Sequence, residues 1–357
     1  FYPVGPLSVR WTGEINAPLA GDYDFCFTCD DGCRLFIDGK MVLEDWTSHA
    51  MKDDRVTVQL TAGKHHLKAE YYDGGEDKVA RLKWKMPDYA VPPFDTYGDE
   101  MKNGIKDCDV VIAVMGINKT IEREGWDRET IELPKGQVAF LKDLYSVNKN
   151  VVMVLEAGSS MALNWEQANL PAIVDAWYPG EAGGTAVAEV LFGDYNPAGR
   201  LPLTFYKSID DLPDFNDYNI SNNRTYQYFT GEPLYPFGYG LSYTSFRYDG
   251  LKVSRAGDNV EVAFRVRNTG KYDGDEVAQV YIKFPEMDRP LPLKQLKGFS
   301  RVHINKGKAE QVKINIPVEE LRLWDDAKGA FYTPQGRYKI FVGKSSADIV
   351  LSGEIEL

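Results

Sequence analysis

The sequence is short of several patterns on which common functions depend. No apolar run reaches the length that a membrane-spanning helix needs, so no membrane partner is predicted. Lys and Arg number 41 against 53 Asp and Glu, which gives a net charge of −12. Because nucleic-acid binding needs clustered positive charge, this composition argues against a nucleic-acid partner. The segment "GSSMAL" lacks the glycine spacing and the lysine of a P-loop, so nucleotide binding is disfavoured and no cofactor is predicted.

Cysteine and histidine are also scarce, with four of each. Cys26, Cys29 and Cys33 fall within eight residues, but zinc takes four ligands and no histidine lies at a matching spacing. The pattern favours small buried thiols and no metal site. A Cys29–Cys33 or Cys26–Cys33 bridge stays open if the compartment is oxidising.

Three regions differ in hydrophobic pattern. Residues 7–86 alternate apolar and polar residues between Gly and Asp turns, which predicts an antiparallel β-sandwich or jelly roll. Its "IDGK" segment predicts a tight hairpin turn. After a Pro-rich joint at 87–93, the continuous apolar run "DVVIAVMG" predicts a strand covered on both faces.

Further strands and helices follow that run in alternation. "NVVMVLEAG" and "LPAIVDAWYPG" each contain a predicted strand, while "KGQVAFLKDLYSVN" and "EAGGTAVAEVLFGD" predict helices. Alternation of this kind is typical of a three-layer α/β domain. A long Pro-, Gly- and aromatic-rich segment at 196–246 leads to about seven short strands, which predict an immunoglobulin-like or fibronectin type III sandwich.

The segment "TIEREGWDRETIELPKGQ" directly follows a predicted buried strand. Ligands bind beyond the carboxyl ends of parallel strands, so Glu122 and Glu124 are well placed for a site. Gly125 allows a sharp bend, and Trp126 would screen a carboxyl group partly from water, as suits a proton donor. The alternative is a solvated loop, fixed by an ion pair of Arg128 with its neighbour Asp127.

Longer motifs carry a family resemblance. "EREGWDRETIELPKGQVAFLK", "AWYPGEAGGTAVAEVLFGDYNPAGRLPLTF" and "YPFGYGLSYTSF" resemble, in that order, signatures of the glycoside hydrolase family 3 α/β sandwich. "NTGKYDGDEVAQVYI", "LKGFSRVHI" and "GRYKIFVG" resemble its fibronectin type III-like domain. "SVRWTG" and "DDGCRLFIDGKMVLEDW" resemble the protective-antigen-type (PA-fourteen) sandwich that some members carry as an insertion.

The resemblance implies three domains: an N-terminally incomplete PA-fourteen sandwich at 1–87, an α/β sandwich with an acid/base loop at 88–246, and a fibronectin type III-like domain at 247–357. It implies a retaining exo-β-glycosidase in which Glu124 is the general acid/base, with Glu122 as the rival. The nucleophilic aspartate would lie on an N-terminal (β/α)8 barrel that these residues do not include. We therefore expect a C-terminal piece of an enzyme, incomplete as a catalyst alone and partnered by a barrel-bearing chain or fragment.

The expected substrate is a β-glucoside or related oligosaccharide. Trp126 and Trp46 are candidate sugar contacts, because aromatic faces suit the C–H groups of sugar rings, and a packing role is the alternative for Trp46. Asp30 and Asp31 could hold calcium, although a role in stabilising the turn is favoured. The expected compartment is the periplasm or the exterior, and homo-oligomers stay open. The alternative function is a non-catalytic carbohydrate-binding or adhesion module.

Overall fold

The computed structural model describes residues 6–17, 20–75, 78–85, 98–119, 121–125 and 127–357. They form two compact units, one of residues 1–113 and 134–152 and the other of residues 114–133 and 153–357. Strands β8 (Val111–Gly116) and β9 (Val151–Glu156) begin in the first unit and end in the second. The predicted boundary at residue 87 falls outside the described residues, and the three-domain division stays a prediction.

The first unit contains an antiparallel β-sandwich, as the alternating pattern predicts. Its strands are β1 (Leu7–Ala17), β2 (Gly21–Cys29), β3 (Cys33–Ile37), β4 (Lys40–Asp45), β5 (Lys52–Leu60), β6 (Gly63–Asp73) and β7 (Ala80–Lys85). They pair in two sheets, in the orders β1-β6-β3-β4 and β5-β2-β7. Alternate residues of β2, Tyr23, Phe25 and Phe27, are fully buried in the shared core. Whether this sandwich is of the protective-antigen type stays a prediction.

The "IDGK" turn has the predicted geometry. Asp38 and Gly39 have φ angles of 49° and 79°, and Ile37 pairs with Lys40. Positive φ at both central residues matches the right-handed twist of the flanking strands, which is why Asp-Gly closes this hairpin.

The α/β elements follow the predicted order. The helices are α1 (Asp99–Asp107), α2 (Lys135–Val147), α3 (Asn164–Asn169) and α4 (Gly183–Phe192), and the third strand is β10 (Ala172–Asp175). The strand order is β10-β9-β8. Val111 N donates to Asn150 O and Ile117 N to Glu156 O, so β8 and β9 are parallel.

One expectation for β8 is wrong. Ala113 is buried, but Val110, Ile112 and Val114 are 50%, 46% and 57% exposed. The strand is therefore not covered on both faces by the described residues. It is an edge strand there, and an apolar run alone does not reveal which neighbours the chain supplies.

The C-terminal part of the second unit is a seven-stranded sandwich with an additional two-stranded ribbon. Its elements are α5 (Thr225–Tyr228), β11 (Phe246–Ala256), β12 (Asn259–Asn268), β13 (Gly274–Lys283), β14 (Gln295–Ile304), β15 (Ala309–Pro317), β16 (Leu323–Asp325), β17 (Ala330–Tyr332), β18 (Arg337–Gly343) and β19 (Ile349–Glu356). The sheets β11-β12-β15 and β14-β13-β18-β19 enclose one core, and β16 pairs with β17. The predicted fold class, an α/β domain with two β-sandwiches, is confirmed.

Candidate active site

The loop between β8 and α2, residues 117–134, is bonded near its start to the end of β9 and near its end to the segment that follows β9. Ile117 N donates to Glu156 O at 2.9 Å, and Ala162 N donates to Ile131 O at 2.8 Å. Gly125 has a φ of 70°, so the sharp bend expected there is present. These bonds hold the loop at the carboxyl ends of the strands, where ligands of α/β sheets bind.

Glu122 lies in this loop with its carboxylate surrounded by donors. Oε1 accepts from Gly158 N at 3.1 Å and from Tyr178 OH at 3.0 Å. Oε2 accepts from Ser159 Oγ and lies 3.3 Å from Arg128 Nε. Four donors from three chain segments therefore fix the orientation of this carboxylate.

Arg128 is the cation of this cluster. Its guanidinium donates to Ser159 Oγ at 2.8 Å and to Ser160 O at 3.1 Å, in addition to its ion pair with Glu122. Burial lowers the pKa of Arg128, and the charge of Glu122 opposes that shift. The alternative pairing of Arg128 with Asp127 is not what the structure shows, because the guanidinium is directed to Glu122 and the Ser159–Ser160 segment.

Gly158 shows how tightly the cluster is packed. A Cβ at this position would lie 2.6 Å from Tyr178 Cε2 and 2.9 Å from Glu122 Oε1. Burial raises the pKa of Tyr178, and its hydrogen bond to Glu122 raises it further. The tyrosine therefore remains the donor in that bond at neutral pH.

Glu124 has the opposite environment two residues away. Its side chain is exposed, and within the residues that the structure describes it has no hydrogen bond or ion pair. Glu122 and Glu124 thus lie on one loop, but among the described residues only the Glu122 carboxylate is fixed by hydrogen bonds and an ion pair. Trp126, the candidate sugar contact between them and Arg128, lies outside the described residues.

Asp175 ends β10 at the same edge of the sheet. Its Oδ1 accepts from Trp177 N at 3.2 Å, whereas Oδ2 is buried and has no hydrogen-bond partner among the described residues. Burial raises the pKa of Asp175 to about 6, although the bond from Trp177 opposes the shift. This carboxyl group is therefore one that titrates close to neutral pH.

Sequence reasoning missed Ser159, Tyr178 and Asp175 as parts of the site. Ser159 follows β9, and the other two lie at or just after the end of β10. The rule that located the glutamates after β8 applies equally to these strand ends and would have found all three. "GSSMAL" was considered only as a phosphate turn, yet its backbone and hydroxyl donors bind a carboxylate of this chain.

Trp46, the other candidate sugar contact, belongs to the first unit. Its ring is 38% exposed, meets Tyr72 edge-on at 4.8 Å and lies 4.1 Å from the Arg34 guanidinium. Trp46, Tyr72 and Asp73 line a cleft of ≈ 460 Å³. Asp31, in the turn beside it, accepts bonds from Ser48 Oγ, His49 N and Gly74 N, which supports the turn-stabilising role.

Comparison with family models gives two matches. Residues 29–243 match the glycosyl hydrolase family 3 C-terminal domain, and residues 276–346 match the fibronectin type III-like domain. The chain belongs to glycosyl hydrolase family 3. No helix among the described residues is both long and apolar enough to cross a bilayer.

Relatives in this family resemble the chain over most of its length. A xylan 1,4-beta-xylosidase of Xylanibacter ruminicola is 44% identical over 97% of this chain and 41% of its own length. A periplasmic beta-glucosidase of Salmonella typhimurium is 36% identical over 72% of this chain and 36% of its own. The crystal structure of a beta-glucosidase from Kluyveromyces marxianus, in complex with glucose, matches 99% of this chain and 44% of that one, with a TM-score of 0.74 and 27% identity.

The family 3 chain described here therefore spans less than half the length of these relatives. Its fibronectin type III-like match lies within the C-terminal seven-stranded sandwich. The match to the family 3 C-terminal domain includes the Glu122 loop, all three strands β8 to β10, and most of the N-terminal sandwich. The sequence resemblance to family 3 is confirmed.

Proposed function

We propose that this chain is the C-terminal part of a retaining exo-β-glycosidase that removes terminal β-linked glucosyl or xylosyl units. Glu124 is the general acid/base of that proposal. The observation that carries it is a contrast on one loop: Glu124 is exposed and has no hydrogen-bond or ion-pair partner among the described residues, whereas Glu122 accepts several hydrogen bonds and an ion pair. Membership of family 3 and relatives named beta-glucosidase and beta-xylosidase supply the reaction class.

Proton transfer distinguishes the two carboxyl groups. A general acid must carry a proton and point it at the departing oxygen, then accept one from water. Glu122 is an acceptor for Gly158 N, Tyr178 OH and Ser159 Oγ, so protonating it would break bonds that its charge stabilises. Glu124 accepts no such bonds among the described residues. We assign Glu122 to positioning the loop and Glu124 to the proton.

The nucleophile of the proposal is an aspartate on a barrel-bearing chain or fragment of the same enzyme. In a retaining mechanism it attacks the anomeric carbon while Glu124 protonates the leaving oxygen, and the two carboxyl groups would be about 5–5.5 Å apart. An exposed apolar surface supports a further partner. Helix α4 buries Gly183 alone among its ten residues, and its Phe192 is 78% exposed.

Sugar contacts in the proposal come from aromatic rings. Trp126 follows Glu124 by two positions in the sequence, and Trp46 lines the cleft of the N-terminal sandwich. An aromatic face packs on the apolar C–H surface of a pyranose and leaves the sugar hydroxyls to polar groups. A periplasmic or extracellular location accords with polysaccharide substrates and with the relative named as periplasmic.

The test is a chimera in which this chain replaces the matching part of the Xylanibacter ruminicola xylosidase. Glu124→Gln should lower kcat on an alkyl β-glycoside about 100- to 10,000-fold, because that leaving group needs a proton. The loss should be smaller on a dinitrophenyl glycoside, whose leaving group needs none. Azide should restore turnover, because this anion attacks the glycosyl-enzyme without a general base. Glucoside and xyloside substrates are compared side by side.

Glu129→Gln is the matched control, because Glu129 is exposed on the same loop. It should leave both substrates unaffected. Azide rescue of Glu122→Gln instead of Glu124→Gln would reverse the two assignments. A folded chimera that binds oligosaccharides yet never hydrolyses them would overturn the enzyme proposal in favour of a carbohydrate-binding module.

A further inference from the structure

Two thiols meet where the sheets of the N-terminal sandwich adjoin. Cys29 is the last residue of β2 and Cys33 the first of β3, and these strands belong to different sheets. Both residues are fully buried, with their Sγ atoms 2.8 Å apart. Only the turn of residues 30–32 separates them along the chain. Two sulfur atoms that were only packed against each other would lie farther apart than this.

Strand geometry excludes Cys26 from the same pairing. Along β2 the fully buried residues are the odd-numbered Tyr23, Phe25, Phe27 and Cys29, so the even-numbered positions point to the other face. Cys26 is only half-buried and lies beside Asp53 on β5. The Cys26–Cys33 alternative that the sequence left open would require β2 to turn its core face outward.

A metal would need a different arrangement. Two thiolates bound to one zinc ion at about 2.3 Å, in tetrahedral geometry, are about 3.7 Å apart. A carboxylate oxygen at this corner, Asp54 Oδ2, is 4.0 Å from Cys33 Sγ. The other oxygen of Asp54 lies 3.6 Å from the Lys52 ammonium, a cation already present at this corner. The sulfur atoms therefore fit a direct bond better than a shared ion.

We propose that Cys29 and Cys33 form an intramolecular disulfide that joins the two sheets of the N-terminal sandwich. The bridge closes the turn that organises the Trp46 cleft. In that turn Asp31 has a φ of 63° and receives bonds from Ser48 Oγ, His49 N and Gly74 N. The carbonyl of Gly32 accepts from Tyr72 N at 2.9 Å, and the Tyr72 ring contacts the Trp46 ring. The turn therefore positions Tyr72 directly and Trp46 through Tyr72.

The chemistry is thiol–disulfide exchange with a small disulfide or a disulfide oxidoreductase. One cysteine thiolate attacks a sulfur of the donor disulfide and releases the first donor thiol. The second cysteine attacks the resulting mixed disulfide at the protein sulfur and releases the other. Two protein thiols are oxidised, the donor disulfide is reduced to two thiols, and the two protons pass to them. Because both protein thiols are fully buried, exchange occurs before the sandwich closes.

The experiment refolds the chain with a glutathione redox pair, then alkylates it under denaturing conditions without reductant. Before alkylation, the oxidised chain should be about 2 Da lighter than the reduced chain. After alkylation, only two of its four cysteines, Cys26 and Cys108, should carry an alkyl group. An aspartate-directed protease cuts between the two cysteines, before Asp30. The peptides that carry Cys29 and Cys33 should stay joined until reductant is added. Native reduced chain, given the same glutathione, should oxidise at least about tenfold more slowly than unfolded chain.

Variants separate this pair from the other thiols. Cys33→Ser should leave Cys29 alkylated and lower Tm by roughly 2–8 °C relative to the oxidised chain. Cys26→Ser should change neither the bridge nor Tm by more than about 1 °C. Thiols protected by added Zn²⁺ and released by a chelator, or alkylation of all four cysteines after oxidative refolding, would overturn the proposal. The wild-type alkylation pattern decides the matter even if Cys33→Ser fails to fold.

Discussion

A glutamate held by an arginine and a tyrosine hydroxyl occurs in two regions of the molecule. The loop cluster consists of Glu122, Arg128 and Tyr178. The sandwich cluster consists of Glu276 on β13, Tyr248 on β11 and Arg200 in the segment after α4. In the latter, Tyr248 OH lies 2.6 Å from Glu276 Oε1, and Arg200 donates to Oε2 at 3.0 Å.

The clusters differ in burial and in the number of donors. The Glu122 and Arg128 side chains are 18% and 11% exposed, against 2% and 9% for Glu276 and Arg200. Glu122 receives two further donors, Gly158 N and Ser159 Oγ. The same three side-chain types thus serve two purposes. The dry sandwich cluster fixes a long irregular segment to β13, while the wetter loop cluster orients a loop whose second carboxyl group, Glu124, is exposed and has no partner among the described residues.

The largest effect should come from breaking the dry cluster. Glu276→Ala leaves the Arg200 charge buried without its partner, so we expect a loss of about 3–5 kcal/mol in the free energy of unfolding. Chemical denaturation of the whole chain measures it. The control is Asp275→Ala on the same strand, whose partners Arg301 and His303 are 53% and 60% exposed, so water can replace the lost charge and the cost should be less than about 1 kcal/mol. Equal losses would show that burial does not distinguish these pairs.

Asp175, a buried carboxyl group at the site, extends the comparison because it has no arginine partner among the described residues. The pKa of Asp175 is raised to about 6 by burial, so the fold favours its neutral form. Its contribution to stability is present below about pH 4 and is lost as the pH rises through about 6. Asp175→Asn removes this dependence and should stabilise the chain at pH 7 by about 1–2 kcal/mol, a value that allows for partial exposure.

The measurement is the free energy of unfolding of wild type and Asp175→Asn at several pH values between 4 and 8. The two curves should coincide below about pH 4, separate between about pH 4 and 6, and keep a constant difference above that. Curves that stay parallel over the whole range would mean that Asp175 does not titrate differently in the folded chain. Glu122→Gln serves as the contrasting variant, because a carboxylate that accepts four donors should lose stability on neutralisation rather than gain it.

The sequence predicted elements well where a local pattern decides the structure. Alternation located the strands of both sandwiches, and Asp38-Gly39 located a hairpin turn because its φ angles demand those residues. The exposed face of β8 was not predictable in this way. Apolar composition says that Ile112 and Val114 favour burial, but not whether the described chain supplies a cover.

The site was predictable in position but not in connectivity. Strand ends located Glu122 and Glu124, yet nothing in their spacing reveals that Arg128 reaches across the loop instead of pairing with Asp127. Ser159 and Tyr178 lie 37 and 56 residues from Glu122. Contacts over such distances depend on how strands are ordered in the sheet. The same holds for Cys29 and Cys33, whose choice over Cys26 required the register of β2.

The smallest expected effect is the difference in stability loss when the tyrosine of each cluster is replaced by phenylalanine. Tyr248→Phe removes a buried hydroxyl and leaves Glu276 Oε1 unsatisfied, which should cost about 1–3 kcal/mol. Tyr178 is 50% exposed, so in Tyr178→Phe water can replace the lost bond to Glu122, and the cost should stay below about 1 kcal/mol. Urea denaturation of both variants measures the difference. If Tyr178→Phe costs as much as Tyr248→Phe, water does not reach Glu122. The loop cluster would then be as dry as the sandwich cluster, and its role would be stability rather than the orientation of Glu124.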